Sequence, residues 1–133
     1  MAEPTITLYT GQSPNGIKIS ITLEELGLSY NVRKIDMTAN EQKSEWFEGI
    51  NPNGRIPAIT DIHADGKQVR VFESGSIMQY LVQRYDKDYL ISYPPGTREH
   101  IEVRPPRTSI PKASHFLSII CRSPTGCSFR TLA

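Results

Sequence analysis

At 133 residues, with a net charge of +1 and 22% charged residues, the chain is about one domain's worth of protein, and no charge excess favours nucleic acid or an acidic substrate. No stretch approaches the roughly 20 apolar residues of a membrane span, and Met1-Ala2-Glu3-Pro4-Thr5 lacks the basic start and apolar run of a secretory signal. Cys121 and Cys127 both fall in the last 13 residues and cannot staple the body of the domain, so a soluble, cytoplasmic protein is expected.

The first predicted strand is Ile6-Thr7-Leu8-Tyr9, short, β-prone and alternating. Gly11 to Gly16 reads as a loop. Residues 13–27, SPNGIKISITLEELG, admit two readings. Ile17, Ile19, Ile21 and Leu23 alternate with polar residues, as in a half-buried strand. Against that, Ser13 suits an N-cap, Pro14 the first helical position and Gly27 the position just past a helix end. Glu24 and Glu25 also favour helix. Helix is the preferred reading, and strand stays open as the alternative.

Tyr30 to Ile35 gives a second strand, and Glu41 to Phe47 a short helix ending near Gly49. Ile56 to Asp61 is a third strand. After the turn at His63–Lys67, Val69 to Phe72 is its hairpin partner. Ser74 to Tyr85 carries Ile77, Met78, Leu81 and Tyr85 at helical spacing. The order βαβαββα predicts an α/β fold with a mixed four-stranded sheet.

Tyr93 to Glu99 offers a cap for a further helix, and Arg104-Pro105-Pro106-Arg107 forbids its continuation. Residues 1–100 hold 10 Lys+Arg and 13 Asp+Glu (net −3), whereas 101–133 hold 5 and 1 (net +4), which sum to +1. The second block is rich in Pro, Ser and Thr and has no apolar period. A folded domain over 1–93, followed by a linker and irregular tail over 94–133, is expected, with disorder over 101–133.

Three stretches in order, SPNGIKISITLEELG, EWFEGINPNGRIPAITD and FESGSIMQYLVQRYD, resemble the N-terminal, thioredoxin-like domain of glutathione S-transferases. The resemblance is to the nu class of fungal and bacterial enzymes and to the globular part of the yeast nitrogen-regulating prion protein. It covers about residues 5–93 and supports the helix over 13–27. It implies a glutathione site, with glutathione as co-substrate and an unknown electrophile or disulfide as partner. No metal site, nucleic acid or membrane is expected.

The resemblance also implies residue roles. Ile56-Pro57 matches the family's cis-proline step, which turns the Ile56 backbone outward to pair with the cysteinyl part of the tripeptide. From the residues alone, a trans proline opening a strand is the alternative. Glu73 and Ser74 would hold the γ-glutamyl end at a helix start, where anions are favoured. A plain N-cap is the alternative there. Gln42 falls where the family reaches the glycyl end. Arg55 joins the binding set, with solvated charge as the other reading. Asn51, Pro52, Asn53 and Gly54 are turn formers, read as structural.

Ser13 and Asn15 would donate to the glutathione sulfur as the catalytic pair. A hydrogen bond to a charged group is worth roughly 1.5–3 kcal/mol, about one to two pKa units. That shift turns a thiol of pKa near 8.5 into mostly thiolate at neutral pH. No Cys precedes position 121, so a protein-thiol redox cycle at this loop is excluded. Tyr9, pointed inward by strand alternation, is not chosen as activator.

Family members carry a second, all-helical domain that supplies the electrophile pocket and much of a dimer contact. The resemblance stops near Glu99, so this chain reads as truncated, and both activity and dimer are in question. Ile77, Tyr80, Leu81 and Tyr85 are candidates for an exposed apolar face toward that domain. Two functions follow: glutathione-dependent conjugation or disulfide reduction, or a non-catalytic glutathione-binding or interaction fragment.

Overall fold

Ile6 and Leu8 are buried on one face of the first strand while Tyr9 sits half-buried on the other, as period-two alternation requires. This strand, β1 (Ile6–Thr10), is central in the computed structural model of the chain, which describes residues 5–103. It pairs in parallel with β2 (Tyr30–Lys34) and antiparallel with β3 (Ala58–Ile62). A hairpin joins β3 to the antiparallel β4 (Gln68–Phe72), giving the order β2-β1-β3-β4. The expected mixed four-stranded, thioredoxin-like sheet is present.

A parallel pair needs a crossover, and α1 (Pro14–Glu25) supplies it. The ambiguous stretch is therefore helix. Ser13 caps it, its Oγ accepting from Gly16 N at 3.1 Å, and Pro14 stands at the first position. Gly27, at φ 63°, takes the left-handed conformation that follows the last turn. The isoleucine alternation is not a strand face. Ile19 and Leu23, four apart, are fully buried, whereas Ile17 is 57% exposed. Thr22 is buried on the same side and satisfies its hydroxyl on Lys18 O at 2.8 Å.

The segment read as one helix from Glu41 to Phe47 is a 3-10 turn (Glu41–Lys43) and a separate short α2 (Glu45–Glu48). Ser44 between them is extended, at ψ 148°, and its Oγ donates to Glu41 O, closing the first turn. β3 begins at Ala58, two residues later than expected. The Ile56–Pro57 bond is cis, and proline has no N–H for the ladder.

Helix α3 (Ser74–Tyr85) packs beside α1 on one face of the sheet. Ile6, Leu8 and Ile59 meet Ile19 and Leu23 of α1 and Ile77, Met78 and Leu81 of α3. Each such side chain, fully buried, contributes about 1.5–3 kcal/mol. On the other face Ala58 packs with Ile35 and Phe47, bordered by Tyr9, Ile50, Ile56 and Phe72. The layers run α1/α3, sheet, then the α2 segment.

Ile77 and Leu81 are not part of an exposed face: both are fully buried against the sheet. Tyr80 and Tyr85 are half-buried, with their hydroxyls on Asp61. The exposed apolar residues are others, including Ile17, Leu90 and Ile101.

After Asp86, whose carboxylate accepts from Leu90 N, Ile91 N and Ser92 Oγ, the chain leads to α4 (Arg98–Val103). Thr97 Oγ1 accepts from His100 N at 3.2 Å at the start of α4. Positions 101–103, expected to be disordered, are thus helical. The rest of the expected disorder, 104–133 with Cys121 and Cys127, lies outside the described residues. Among the described residues no helix is long and apolar enough to cross a membrane.

Candidate functional site at one end of the sheet

The sheet register sets Tyr9, Ala58 and Phe72 side by side, with Thr10 beside Lys34. The carboxyl ends of β1, β2 and β4 and the amino end of β3 therefore lie at one end of the sheet. Four segments leave from there: Gly11–Asn15, Ile35–Lys43, Asn51–Pro57 and Glu73–Ser74. Both α1 and α3 begin at this end, each with the positive end of its dipole. In sheets of this kind ligands bind outside the carboxyl ends of the strands.

The segments touch. A Cβ at Gly11 would stand 3.0 Å from Ile56 Cδ1 and 3.3 Å from Ile35 O, so the loop after β1 lies tightly against the cis-proline step, where a larger residue would make its neighbours give way. Ile56 is half-buried and Pro57 buried. The cis bond ends the loop and Ala58 opens β3.

Ser13 is half-buried, and its oxygen accepts from Gly16 N. A hydroxyl has one proton and two lone pairs, so capping leaves the proton for another acceptor. Asn15 is exposed in the first turn of α1, and its Oδ1 accepts from Lys18 Nζ at 2.9 Å. With the oxygen engaged, the Nδ2 donor is the end left for a ligand.

Glu73 has φ 67° and ψ 124°, a conformation costing a non-glycine residue on the order of 1–3 kcal/mol. It stands at the N-cap of α3, yet its side chain makes no capping bond. Its Oε1 accepts instead from Asn53 Nδ2 at 3.2 Å. The plain-cap alternative thus has no capping bond behind it. Ser74, half-buried, is the first residue of α3.

Gln42 is turned inward. It is only 9% exposed, its Nε2 donates to Asn40 Oδ1 at 3.3 Å, and its Oε1 is buried with no partner among the described residues. Arg55 is exposed, and its carbonyl accepts from Asn51 Nδ2 at 2.6 Å. The structure therefore gathers Ser13, Asn15, Ile56, Pro57, Glu73 and Ser74 at one end, sets Gln42 behind that surface and leaves Arg55 at its rim. Among the described residues no group of three His, Cys, Asp or Glu could hold a metal.

The family model for the glutathione S-transferase N-terminal domain matches residues 4–83. The chain belongs to this family. Two curated fungal proteins are similar. One is a glutathione S-transferase-like protein, tpcF, of Aspergillus fumigatus, 42% identical over 92 residues, which are 69% of this chain and 39% of that protein. The other is the transcriptional regulator URE2 of Saccharomyces cerevisiae, 40% identical over 83 residues, 62% of this chain and 23% of that one. Among solved structures, a glutathione transferase homologue from Lodderomyces elongisporus, crystallised with two GSH per subunit, superposes with a TM-score of 0.71. It is 48% identical, and the match covers 77% of this chain and 47% of that one. The transferase-family chain described here thus spans less than half the length of these relatives.

Two features of this transferase domain escape a sequence reading. The NPNG turn behaves as expected at Asn51, which is 1% exposed and bonds both Asn53 N and Arg55 O, and at Gly54, at φ 57°. Asn53, however, also reaches Glu73, 20 residues away, which no turn pattern signals. Lys43 donates to Asn53 O at 3.1 Å and joins the 3-10 turn to the same loop. Tyr9 does point inward, against the core on the face opposite α1 and α3, edge-on to Phe47 and beside Trp46.

Proposed function

We propose that this chain binds glutathione at the end of its sheet and lowers the pKa of the tripeptide's thiol, for transfer to an electrophile or for reduction of a disulfide. The observation that carries the proposal is Glu73: a strained residue at an N-cap whose carboxylate caps nothing in its own helix. Strain of that kind persists where surrounding structure and function hold it.

In this reading Ser74 and the first N–H groups of α3 take the γ-glutamyl carboxylate, and Glu73 takes the ammonium beside it. The Ile56 backbone, ahead of Pro57, pairs with the cysteinyl residue. Asn15 Nδ2 and the Ser13 hydroxyl donate to the sulfur. These bonds strengthen as the sulfur becomes charged, so they favour thiolate over thiol. Gln42 reaches the glycyl end only if it turns outward, and Arg55 acts there as a charge at the rim. The GSH held by the Lodderomyces elongisporus homologue supports the ligand class. A cytoplasmic setting accords with a ligand that must carry a free thiol.

A second reading, a non-catalytic glutathione-binding fragment, is favoured by one observation. The relative URE2 of Saccharomyces cerevisiae is named for transcriptional regulation. Calorimetric titration of the 1–133 chain with glutathione tests the shared part of both readings. Turnover of a model electrophile and of a small disulfide separates them. Binding without turnover supports the fragment reading, and no binding at millimolar glutathione removes both.

A further inference from the structure

Asn53 is exposed in a surface turn, yet three bonds converge on it. Its N–H donates to Asn51 Oδ1 at 3.0 Å, its carbonyl accepts from Lys43 Nζ at 3.1 Å, and its side-chain amide donates to Glu73 Oε1 at 3.2 Å. The first two fix the backbone to a buried residue, Asn51, and to the 3-10 turn. The turn itself needs no more than these. The third bond has no part in the turn and crosses to the start of α3.

The donor's chemistry is informative. A neutral amide orients a carboxylate without cancelling its charge, whereas a lysine or arginine there would neutralise it. A cation is close at hand, but the Lys43 ammonium is engaged on the Asn53 carbonyl instead. Among the described residues Glu73 forms no ion pair. The result is an exposed carboxylate oriented by one neutral donor, with no ion pair among the described residues.

We infer that Asn53 is a positioning residue that holds the Glu73 carboxylate ready for a ligand's primary ammonium, and so sets a preference for ligands that carry one. The inference rests on the glutathione reading and adds to it a determinant of specificity outside the set of residues that touch the tripeptide. A pre-oriented carboxylate loses less freedom on binding than a mobile one.

The test compares two ligands on the full 1–133 chain by calorimetric titration: glutathione, and the analogue in which hydrogen replaces the α-ammonium (glutaryl-cysteinyl-glycine). The wild-type chain should prefer glutathione. Asn53→Ala should weaken glutathione about three- to tenfold, as for loss of one hydrogen bond that orients a charged partner, while the analogue changes by less than about twofold. In a Glu73→Gln background Asn53→Ala should add nothing. Asn53→Lys, which keeps a donor but cancels the charge, should abolish the preference and covers the case in which the alanine variant does not fold. Equal losses for both ligands, additive effects with Glu73→Gln, or a retained preference in Asn53→Lys would overturn the inference while leaving glutathione binding intact. A wild-type chain that binds neither ligand removes the glutathione reading itself, and this inference with it.

Discussion

The hydroxyl of Tyr85, in the last turn of α3, donates to Oδ2 of Asp61 on β3, 24 residues earlier in the chain. Tyr80 donates to the same oxygen at 2.7 Å, Ile62 N to Oδ1 at 2.7 Å, and Arg84 Nε stands 3.6 Å away. Asp61 is only 1% exposed, so it is a buried carboxylate with its donors converged on it. Asp61→Ala leaves two tyrosine hydroxyls without their acceptor and the Arg84 guanidinium without its carboxylate partner. It should cost about 2–4 kcal/mol in urea unfolding, more than any surface substitution in this chain.

The same carboxylate gives the fold an acid limb. Burial pushes the Asp61 pKa up, but hydrogen bonds from Tyr85, Tyr80 and Thr5 and from the Ile62 N–H outweigh it and hold the group below its ordinary range. A folded pKa below the unfolded one means that the stabilisation is complete above the unfolded value, about 3.9. It is lost as pH falls from there through the lower folded value. The stability difference between wild type and Asp61→Asn, measured by urea unfolding across pH, should be flat above about pH 4 and shrink below it. A difference that grows on acidification would contradict this assignment. Burial and the bond to Asp61 also push the Tyr80 and Tyr85 hydroxyls up, so both remain donors throughout.

Glu73 allows a comparison of two small residues. Alanine keeps the left-handed strain, and glycine removes it. Glu73→Gly should therefore unfold at higher urea than Glu73→Ala, by about 1 kcal/mol. Both should lose glutathione affinity, because neither carries a carboxylate. If the two variants are equally stable, the backbone at Glu73 is not strained.

Ser13 and Asn15 should separate stability from thiol chemistry. Ser13→Ala removes the cap bond to Gly16 N and should cost about 1 kcal/mol. Asn15→Ala alters an exposed amide, and stability should change by less than about 0.5 kcal/mol. It should instead raise the pKa of the bound glutathione thiol by about one to two units, followed as thiolate absorbance against pH. An unchanged thiol pKa would leave Asn15 as a partner of Lys18 and nothing more.

Gly16 tests the packing of the loop after β1. A Cβ there would fall 2.0 Å from Thr10 Oγ1 and 3.2 Å from Gly11 O. Gly16→Ala should destabilise by about 1–3 kcal/mol, although alanine is the better helix former. Thr10→Ala in the same chain should recover most of that loss, measured as the shift in unfolding midpoint. No recovery would mean that the Gly11 carbonyl, not the threonine, is the obstacle.

Local chemistry made much of this fold readable. Ser13, Pro14 and Gly27 mark the ends of α1, and each acts at short range, so the pattern survives without tertiary information. The alternating isoleucines misdirect for the same reason. Period two and period four coincide at Ile19 and Leu23, and only packing reveals that Ile17 is spare. The cis step at Ile56-Pro57 and the helix start at Glu73-Ser74 were legible because a motif carried each. Their support was not. Asn53 looks like one more turn residue until β3 and β4 bring Glu73 to it. Asp61 reads as a strand-end charge until α3 lays two tyrosines over it. The inward turn of Gln42 and the break at Ser44 likewise depend on what the segment packs against.

The central seam of the sheet is narrow. β1 meets β3 over only three register pairs, Thr7↔Thr60, Leu8↔Ile59 and Tyr9↔Ala58, and these close a loop of some fifty residues. On one side of that seam lies the β1–α1–β2 unit with Ser13 and Asn15; on the other lies the β3–β4–α3 unit with Pro57, Glu73 and Ser74. Each unit is held by contacts closer in sequence than the seam that joins them, and the core shared by α1 and α3 ties the two units together on one face of the sheet. A tripeptide held from both sides would rivet the two halves together. Its presence would then be felt most in how slowly the chain comes apart, and glutathione, where bound, would act on this protein as a kinetic fastener.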